Sequence, residues 1–131
     1  MCTILSYAGR DIAPETLSGY LARAAARGPD AMRLEQTPFG YMGFARLAIM
    51  GLSPEGMQPF ARGGDWAVCN GEIYGFRRLK EELSARGYSF QSGSDCEVLL
   101  PLYREYGLEM FAHLDAEYAC VLYDGAAQRL I

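Results

Sequence analysis

The chain has 131 residues, of which 50% are hydrophobic and 21% are charged, and its formal net charge at pH 7 is −4. This length predicts one domain that buries about two-thirds of the surface of its unfolded chain. The acidic balance without a Lys/Arg cluster argues against a nucleic-acid partner, and no apolar run reaches the length of a membrane span.

The first thirty residues predict a strand followed by a helix. Cys2 to Tyr7 is short and apolar enough for a buried strand. Because Arg10-Asp11 ends this apolar start, we expect no secretory leader and a cytoplasmic protein. Pro14 suits the first turn of a helix, and Gly28-Pro29 supplies its end.

A second strand region carries a charge that its apolar pattern does not explain. Residues Phe39 to Met50 alternate and predict a strand, but Arg46 on its apolar face needs an acidic partner or a ligand. After a Gly/Pro-rich loop, Trp66 to Tyr74 predicts another strand that runs into the polar Asn70-Gly71-Glu72. These polar groups are expected to contact a ligand. A tight turn at Asn70-Gly71 is the alternative, but the helical spacing that follows fits it poorly.

The rest of the chain predicts two helices and three strands. Residues Phe76 to Gly87 have helical spacing, and Tyr88 to Phe90 predicts a brief strand. The capping-box pattern Ser94-Asp95-Cys96-Glu97 predicts the start of a second helix, which Pro101 should kink. Strands are predicted from residue 118 to 123 and from 128 to 131. Because the last one stops without a turn or cap, we expect a chain truncated at its C-terminus.

The cysteines and the single histidine exclude two kinds of site. Cys2, Cys69, Cys96 and Cys120 are too far apart for a disulfide scaffold, so reduced thiols are expected. His113 is alone and no C-x-x-C motif is present, so no metal site is predicted. The chain also has no Gly-rich nucleotide loop.

The start Met1-Cys2 offers a nucleophile. A small residue at position 2 normally leads to removal of the initiator Met, which would leave Cys2 N-terminal. It would then carry both a thiol and an α-amine whose ordinary pKa of about 7.7–8 suits it to activate that thiol. Most Met-Cys starts have no such role, so the prediction depends on the rest of the chain.

Five motifs together, in order and spacing, resemble a known family. They are Met1-Cys2, Arg27-Gly28-Pro29-Asp30, Arg46-Leu47-Ala48-Ile49, Asn70-Gly71-Glu72-Ile73-Tyr74 and Ser94-Asp95-Cys96-Glu97-Val98. Over essentially the whole chain the sequence resembles the glutaminase domain of glutamine-hydrolysing asparagine synthetase, a class II glutamine amidotransferase. The resemblance implies the α+β, four-layer αββα fold of N-terminal-nucleophile (Ntn) hydrolases, with two antiparallel sheets between helices. Residues 1–131 would be the N-terminal part of the amidotransferase domain, without the synthetase domain.

The resemblance implies three catalytic residues. Cys2 would attack the glutamine carboxamide, with its own amine as the base. The side-chain amide of Asn70 and the backbone N–H of Gly71 would form the oxyanion hole. One such donor is typically worth about 3 kcal/mol of transition-state stabilisation.

Three more residues are predicted to bind the substrate. Arg46 would bind the α-carboxylate with its forked donors, Asp95 would bind the α-ammonium, and Glu72 would help it. The alternatives are that Arg46 pairs with a structural acid and that Asp95 is only a helix-start charge. Arg27 and Asp30 are expected to hold the loop near Cys2.

The sequence departs from the family pattern at several positions. Thr3 stands where the family usually has Gly, Phe44-Ala45 where it has His-Arg, Gly75 where it has Asn, and Cys96 where it has Thr. Thr3 bears most directly on activity, since it adds bulk beside the nucleophile.

The predicted function is glutamine hydrolysis through a Cys2 thioester. L-glutamine would be the substrate, and the ammonia would serve asparagine synthesis in a missing synthetase domain. No cofactor is expected in this chain, because ATP and magnesium would belong to that missing domain. The alternatives are an inactive glutamine-binding or structural domain and an amidotransferase that serves another acceptor. The oligomeric state is open, a homodimer included.

Overall fold

The computed structural model describes residues 2–131. Within them the chain forms seven strands, namely β1 Thr3–Ala8, β2 Ala31–Thr37, β3 Gly40–Arg46, β4 Phe60–Arg62, β5 Asp65–Ile73, β6 Ala116–Asp124 and β7 Arg129–Leu130. The α-helices in this range are α1 Pro14–Ala22, α2 Phe76–Ala85 and α3 Leu99–Tyr106. Short 3₁₀ turns lie at Ala25–Arg27, Pro54–Gly56, Cys96–Val98 and Gly107–His113. None of the described helices is long and apolar enough to span a bilayer.

The strands form two antiparallel sheets, as expected for an α+β fold. The first sheet has the order β1-β3-β2 and the second has the order β4-β5-β6-β7. Met42 of the first sheet packs against Val68 and Tyr123 of the second, so the two sheets face each other across a buried layer. The predicted class and the two sheets are confirmed, while the Ntn assignment stays a prediction.

Helices cover the outer faces of both sheets. In α1, Leu17 and Leu21 are buried, and Leu21 lies against Gly43 of β3. In the second sheet, Ala67, Cys69 and Ile73 of β5 join the core formed with α2 and α3. Because side chains alternate along a strand, the residues between them point the other way, toward the first sheet.

Three strand predictions need correction. β2 was not predicted, because Ala31–Thr37 is largely exposed and carries no clear apolar alternation. The strand predicted from Phe39 to Met50 spans only Gly40–Arg46. Residues Tyr88 to Phe90 form no strand: the Tyr88 and Phe90 side chains pack on the core while the Ser89 carbonyl accepts a hydrogen bond from Arg62. The final strand, predicted from 128 to 131, is confirmed as β7.

The predicted capping box was also wrong, and Pro101 lies nearer the start of its helix than predicted. Glu97 does not pair with Ser94; its carboxylate accepts hydrogen bonds from the N–H groups of Gln91, at 2.7 Å, and Ser92, at 3.0 Å. The helix α3 begins only at Leu99. Pro101 therefore lies in its first turn, where a backbone N–H would have no intrahelical partner.

Glu97 fastens the segment before α3. It is 9% exposed, and it also accepts hydrogen bonds from the Ser92 hydroxyl at 2.7 Å and from Lys80 Nζ at 3.2 Å. Burial alone would raise the pKa of Glu97, but the donors of Gln91, Ser92 and Lys80 outweigh it and lower that pKa.

We expect Glu97→Gln to lower the free energy of unfolding at pH 7 by about 2 kcal/mol, because an amide keeps the shape but not the charge-assisted acceptors. The folded-state pKa of Glu97 is lowered, so its contribution is complete above the ordinary value of 4.5 and disappears as pH falls through the lowered pKa. Urea unfolding of both proteins from pH 7 to pH 3 measures the difference. A difference that does not shrink at low pH would contradict this assignment.

Candidate active site

One cavity gathers all the predicted site residues. It has a volume of about 390 Å³, within the range of small-molecule sites, and lies where the two sheets separate. Its lining includes all six residues predicted from the sequence, namely Cys2, Arg46, Asn70, Gly71, Glu72 and Asp95. Their individual roles stay predictions, and Met1 lies outside the described residues.

The strand alternation explains why these side chains meet. Arg46 has the same parity in β3 as the inner-layer residue Met42, and Asn70 and Glu72 have the same parity in β5 as Val68. Each sheet therefore directs its polar side chains into the gap between the sheets. At the C-terminal ends of β3 and β5 the residues of the inner faces are polar instead of apolar, so the gap between the sheets is a polar cavity there.

The thiol of Cys2 contacts the backbone of the residue that follows β3. The N–H of Leu47 donates to Cys2 Sγ at 3.3 Å, and the thiol lies 3.5 Å from the Leu47 carbonyl oxygen, to which it can donate. The next N–H, of Ala48, donates to the carboxylate of Asp30 at 2.7 Å. Asp30 thus holds the loop near Cys2, as predicted.

The Arg-Gly-Pro-Asp loop can approach β3 because it carries Gly28. A Cβ at Gly28 would collide with the carbonyl of Ala45. The N–H of Asp30 donates to the carbonyl of Arg46 at 3.0 Å. For Arg27, residues 2–131 show neither a side-chain hydrogen bond nor an ion pair, so its predicted part in holding this loop finds no support.

Arg46 is buried and has no acidic partner among residues 2–131. It is 7% exposed, and its guanidinium donates to the carbonyls of Ser53, at 3.1 Å, and of Gly51. Within residues 2–131 it forms no ion pair, so the structural-acid alternative has no support. Neutral carbonyls fix its orientation but leave its positive charge available to an anion in the cavity.

The backbone N–H of Gly71 faces an open edge of β5. β4 pairs with only the first three residues of β5, and beyond them two side chains take its place. Gln58 exchanges hydrogen bonds of 2.6 and 3.0 Å with the backbone of Cys69, and Asp95 Oδ2 accepts from the N–H of Ile73 at 2.8 Å. Because every second residue of a strand directs its N–H to the same side, the N–H of Gly71 lies on this edge, between the other two. It can donate to an oxygen in the cavity.

Gly71 is also required by the neighbouring strand. A Cβ there would lie 2.5 Å from the Glu117 carbonyl oxygen and 2.5 Å from the Tyr118 Cβ atom. No side chain fits between β5 and β6 at this point. The next residue back, Asn70, pairs with Ala119 and projects from the inner face, so the two predicted oxyanion donors are adjacent.

The other cysteines are poor nucleophiles. Cys69 and Cys96 are buried, and a hydrogen bond with Cys69, together with burial, raises the pKa of Cys96. Burial, together with Cys69 opposite it on β5, raises the pKa of Cys120 to about 12. Thiols with raised pKa values stay protonated at neutral pH and react slowly.

Sequence reasoning missed two residues of this site. Gln58 is 4% exposed and supports the open edge, but a single glutamine in a Gly/Pro-rich loop gives no signal of that role. Glu117 lies directly opposite Glu72 and lines the cavity. The sequence could not indicate a role for Glu117, because only the register of β5 and β6 brings the two glutamates together.

The position that departs most from the expected pattern lies next to Cys2. The Thr3 hydroxyl is buried and has no hydrogen-bond partner among residues 2–131. Phe44, another departure, is buried and lines the cavity. The cavity therefore accommodates Phe44 and keeps its polar groups, while Thr3 is not among the described residues that line it.

Comparison with known proteins identifies the family of this chain. The model of the glutamine amidotransferase domain family matches residues 1–131. The chain belongs to this family. The chain is thus a glutamine amidotransferase domain, in agreement with the resemblance drawn from its motifs.

Curated relatives of this glutamine amidotransferase domain are longer proteins. It is 43% identical to Amidase chry2 of Gibberella zeae over 89% of this chain and 18% of that protein. It is 38% identical to a probable glutamine-hydrolysing asparagine synthetase of Acanthamoeba polyphaga mimivirus over 95% of this chain and 24% of the relative. The glutamine-hydrolysing asparagine synthetase of Gallus gallus is 36% identical over 99% of this chain and 24% of its own length. The chain thus spans about a fifth of these relatives.

We expect Gly71→Ala to destabilise the amidotransferase domain by about 2 kcal/mol, because the added methyl group must push β6 away from β5. Gly19→Ala is the matched control. Nothing lies within 4 Å of a Cβ at Gly19, which is in α1, so that change should stabilise by about 0.5–1 kcal/mol. Urea unfolding measures both. Equal effects of the two substitutions would show that β6 does not restrict position 71.

Proposed function

We propose that this chain hydrolyses L-glutamine to glutamate and ammonia through a thioester on Cys2. The observation that carries the proposal is the cavity that joins three groups. They are an accessible thiol at Cys2, the backbone N–H of Gly71 on the open edge of β5, and the buried guanidinium of Arg46, which no acid among residues 2–131 neutralises. Membership of the glutamine amidotransferase family supports glutamine as the amide donor.

The chemistry proceeds in two acyl transfers. The Cys2 amine takes the thiol proton, and the thiolate attacks the side-chain carboxamide carbon to form a C–S bond. The negative oxygen that develops accepts hydrogen bonds from the Asn70 amide and the Gly71 N–H. The ammonium then returns its proton to the leaving nitrogen as the C–N bond breaks, which releases ammonia and leaves the thioester.

Water completes the cycle. The free amine of Cys2 accepts a proton from water as the hydroxyl oxygen attacks the thioester carbon, and the same two donors hold the second oxyanion. The C–S bond then breaks, the thiolate is protonated, and glutamate departs. Each step needs a free α-amine on Cys2, so removal of Met1 belongs to the proposal.

The amino-acid end of glutamine would be bound by opposite charges. Arg46 has forked donors for the α-carboxylate, and its exchange of neutral carbonyl acceptors for a carboxylate would give stronger hydrogen bonds. Asp95 is 6% exposed, and it uses Oδ2 for the Ile73 N–H. Its other oxygen would bind the α-ammonium, with Glu72 at the exposed side.

We place this activity in a larger cytoplasmic protein with an Ntn hydrolase fold. The ammonia would pass to a synthetase domain that makes asparagine from aspartate and ATP. Two of the longer relatives are named as glutamine-hydrolysing asparagine synthetases. ATP and magnesium would be bound in the synthetase domain, because the ATP-dependent amidation of aspartate would take place there. The likeness to Amidase chry2 favours a second candidate, in which the ammonia serves another acceptor.

A covalent probe tests the nucleophile. We expect an electrophilic glutamine analogue to add once to the chain, on a Cys2 that lacks Met1, and excess glutamine to suppress the adduct. Intact-mass and peptide mass spectrometry measure both the adduct and the state of the N-terminus, and Cys2→Ala is the control.

The outcomes separate the proposal from its alternative. Glutamine protection together with one adduct on Cys2 supports catalysis. A chain with a free Cys2 amine that binds glutamine but forms no adduct would instead be the inactive glutamine-binding domain, in which the bulk of Thr3 beside the nucleophile is the first cause to test. An adduct on Cys69 or Cys96 would overturn the assignment of the nucleophile.

A further inference from the structure

Two glutamates lie opposite each other on adjacent strands of the second sheet. Glu72 of β5 pairs in register with Glu117 of β6, and both line the cavity. The backbone groups of Cys69 form hydrogen bonds with Gln58 on the edge of β5 away from β6. Because successive residues of a strand direct their backbone groups to opposite edges, those of Glu72 form hydrogen bonds with β6. The Cα atoms of such a hydrogen-bonded pair lie about 5.5 Å apart. Like charges placed directly opposite destabilise a sheet.

No basic side chain in the described part of the chain pairs with either glutamate. Among residues 2–131, neither Glu72 nor Glu117 forms an ion pair, although five ion pairs are found elsewhere. The negative charge of the two glutamates also affects Tyr74, whose pKa is raised by Glu117 most, then by burial, and then by Glu72 and Asp115. A cation between the two carboxylates would remove the repulsion.

The two glutamates lie on the cavity wall beside the oxyanion donors. Glu117 shares the inner face of β6 with Ala119 and Val121, and Val121 packs in the layer between the sheets. Asn70 pairs with Ala119, so Glu117 is its diagonal neighbour on the same face, at about 7–8 Å. The small side chain of Ala119 leaves this diagonal open.

The charges of the cavity match an α-amino acid. A buried cation, Arg46, lies in one sheet without an acidic partner among residues 2–131, and the unpaired carboxylates lie in the other. We propose that Glu117 is a specificity-determining residue, which together with Asp95 and Glu72 selects glutamine over amides that lack an α-ammonium group. This inference rests on the proposed function, because it assigns the ammonium end of the same substrate.

The test compares glutamine with glutaramate, which has the same carboxylate and carboxamide but no α-amine. We expect Glu117→Gln to raise the KM for glutamine about tenfold, the size expected for losing one charge-assisted interaction, and to leave the KM for glutaramate unchanged. The kcat for glutamine should be unchanged, since Glu117 does not touch the reacting carboxamide. Glu81→Gln removes the same charge from the exposed face of α2 and should alter neither KM.

Thermal unfolding separates a specific role from a structural one. Without ligand, Glu117→Gln should be at least as stable as the natural chain, because the like-charge pair is gone, and glutamine should raise its Tm less. Should Glu117→Gln fail to fold, the same measurements on Glu117→Asp, in which the shorter side chain keeps the charge, should show selectivity between that of the natural chain and none. Equal losses for glutamine and glutaramate, or no loss for either, would overturn the inference.

Binding measured on Cys2→Ala distinguishes this inference from the proposed function. Loss of glutamine-over-glutaramate selectivity on adding Glu117→Gln to Cys2→Ala supports the inference even if turnover is absent. Hydrolysis by the natural chain with unchanged selectivity in Glu117→Gln overturns the inference alone. Failure of the natural chain to bind glutamine overturns both.

Discussion

The open edge of β5 is the constraint on which the site depends. β4 pairs with only the first three residues of β5, so within residues 2–131 the backbone groups of Cys69, Gly71 and Ile73 on that side have no strand partner. An unsatisfied buried backbone group costs about 1–3 kcal/mol. Gln58 satisfies Cys69 and Asp95 satisfies Ile73, so the edge is stable where it is buried. The Gly71 N–H between them faces the cavity, already oriented and needing no rearrangement to donate.

The first sheet must bring its groups to the same place, and it does so through backbone contacts. Gly28 lets the preceding loop lie against β3, and Asp30 then fixes the chain after Arg46 through the Ala48 N–H. Leu47, held between these contacts, donates to the sulfur of Cys2. The thiol and guanidinium are thus positioned by the same short segment, so a change in one would be felt by the other.

The sequence predicted which residues line the cavity better than it predicted the strands around them. Arg46 and Asn70-Gly71-Glu72 were recognised because a polar residue in an apolar strand violates a local pattern. The edge strand β2 was missed because most of its side chains are exposed, so its sequence lacks the alternation of apolar and polar residues that predicts a strand. Gln58 and Glu117 were missed for a different reason: their importance arises from register and from a distant loop, which neither composition nor spacing encodes. Pro101 was misjudged because the helix starts later than its capping pattern predicts.

Features that reduce stability are concentrated around one cavity. A cation is buried without an acid within residues 2–131, two carboxylates oppose each other, and a glycine, Gly71, occupies the interior of a strand. Elsewhere the chain pairs comparable groups, as with Asp65, which is fully buried against Arg104. Natural chains tolerate such costs where function requires them. The cation and carboxylates would each be neutralised by one end of a zwitterion, so the same ligand that the catalytic groups require would also relieve the strain of their surroundings.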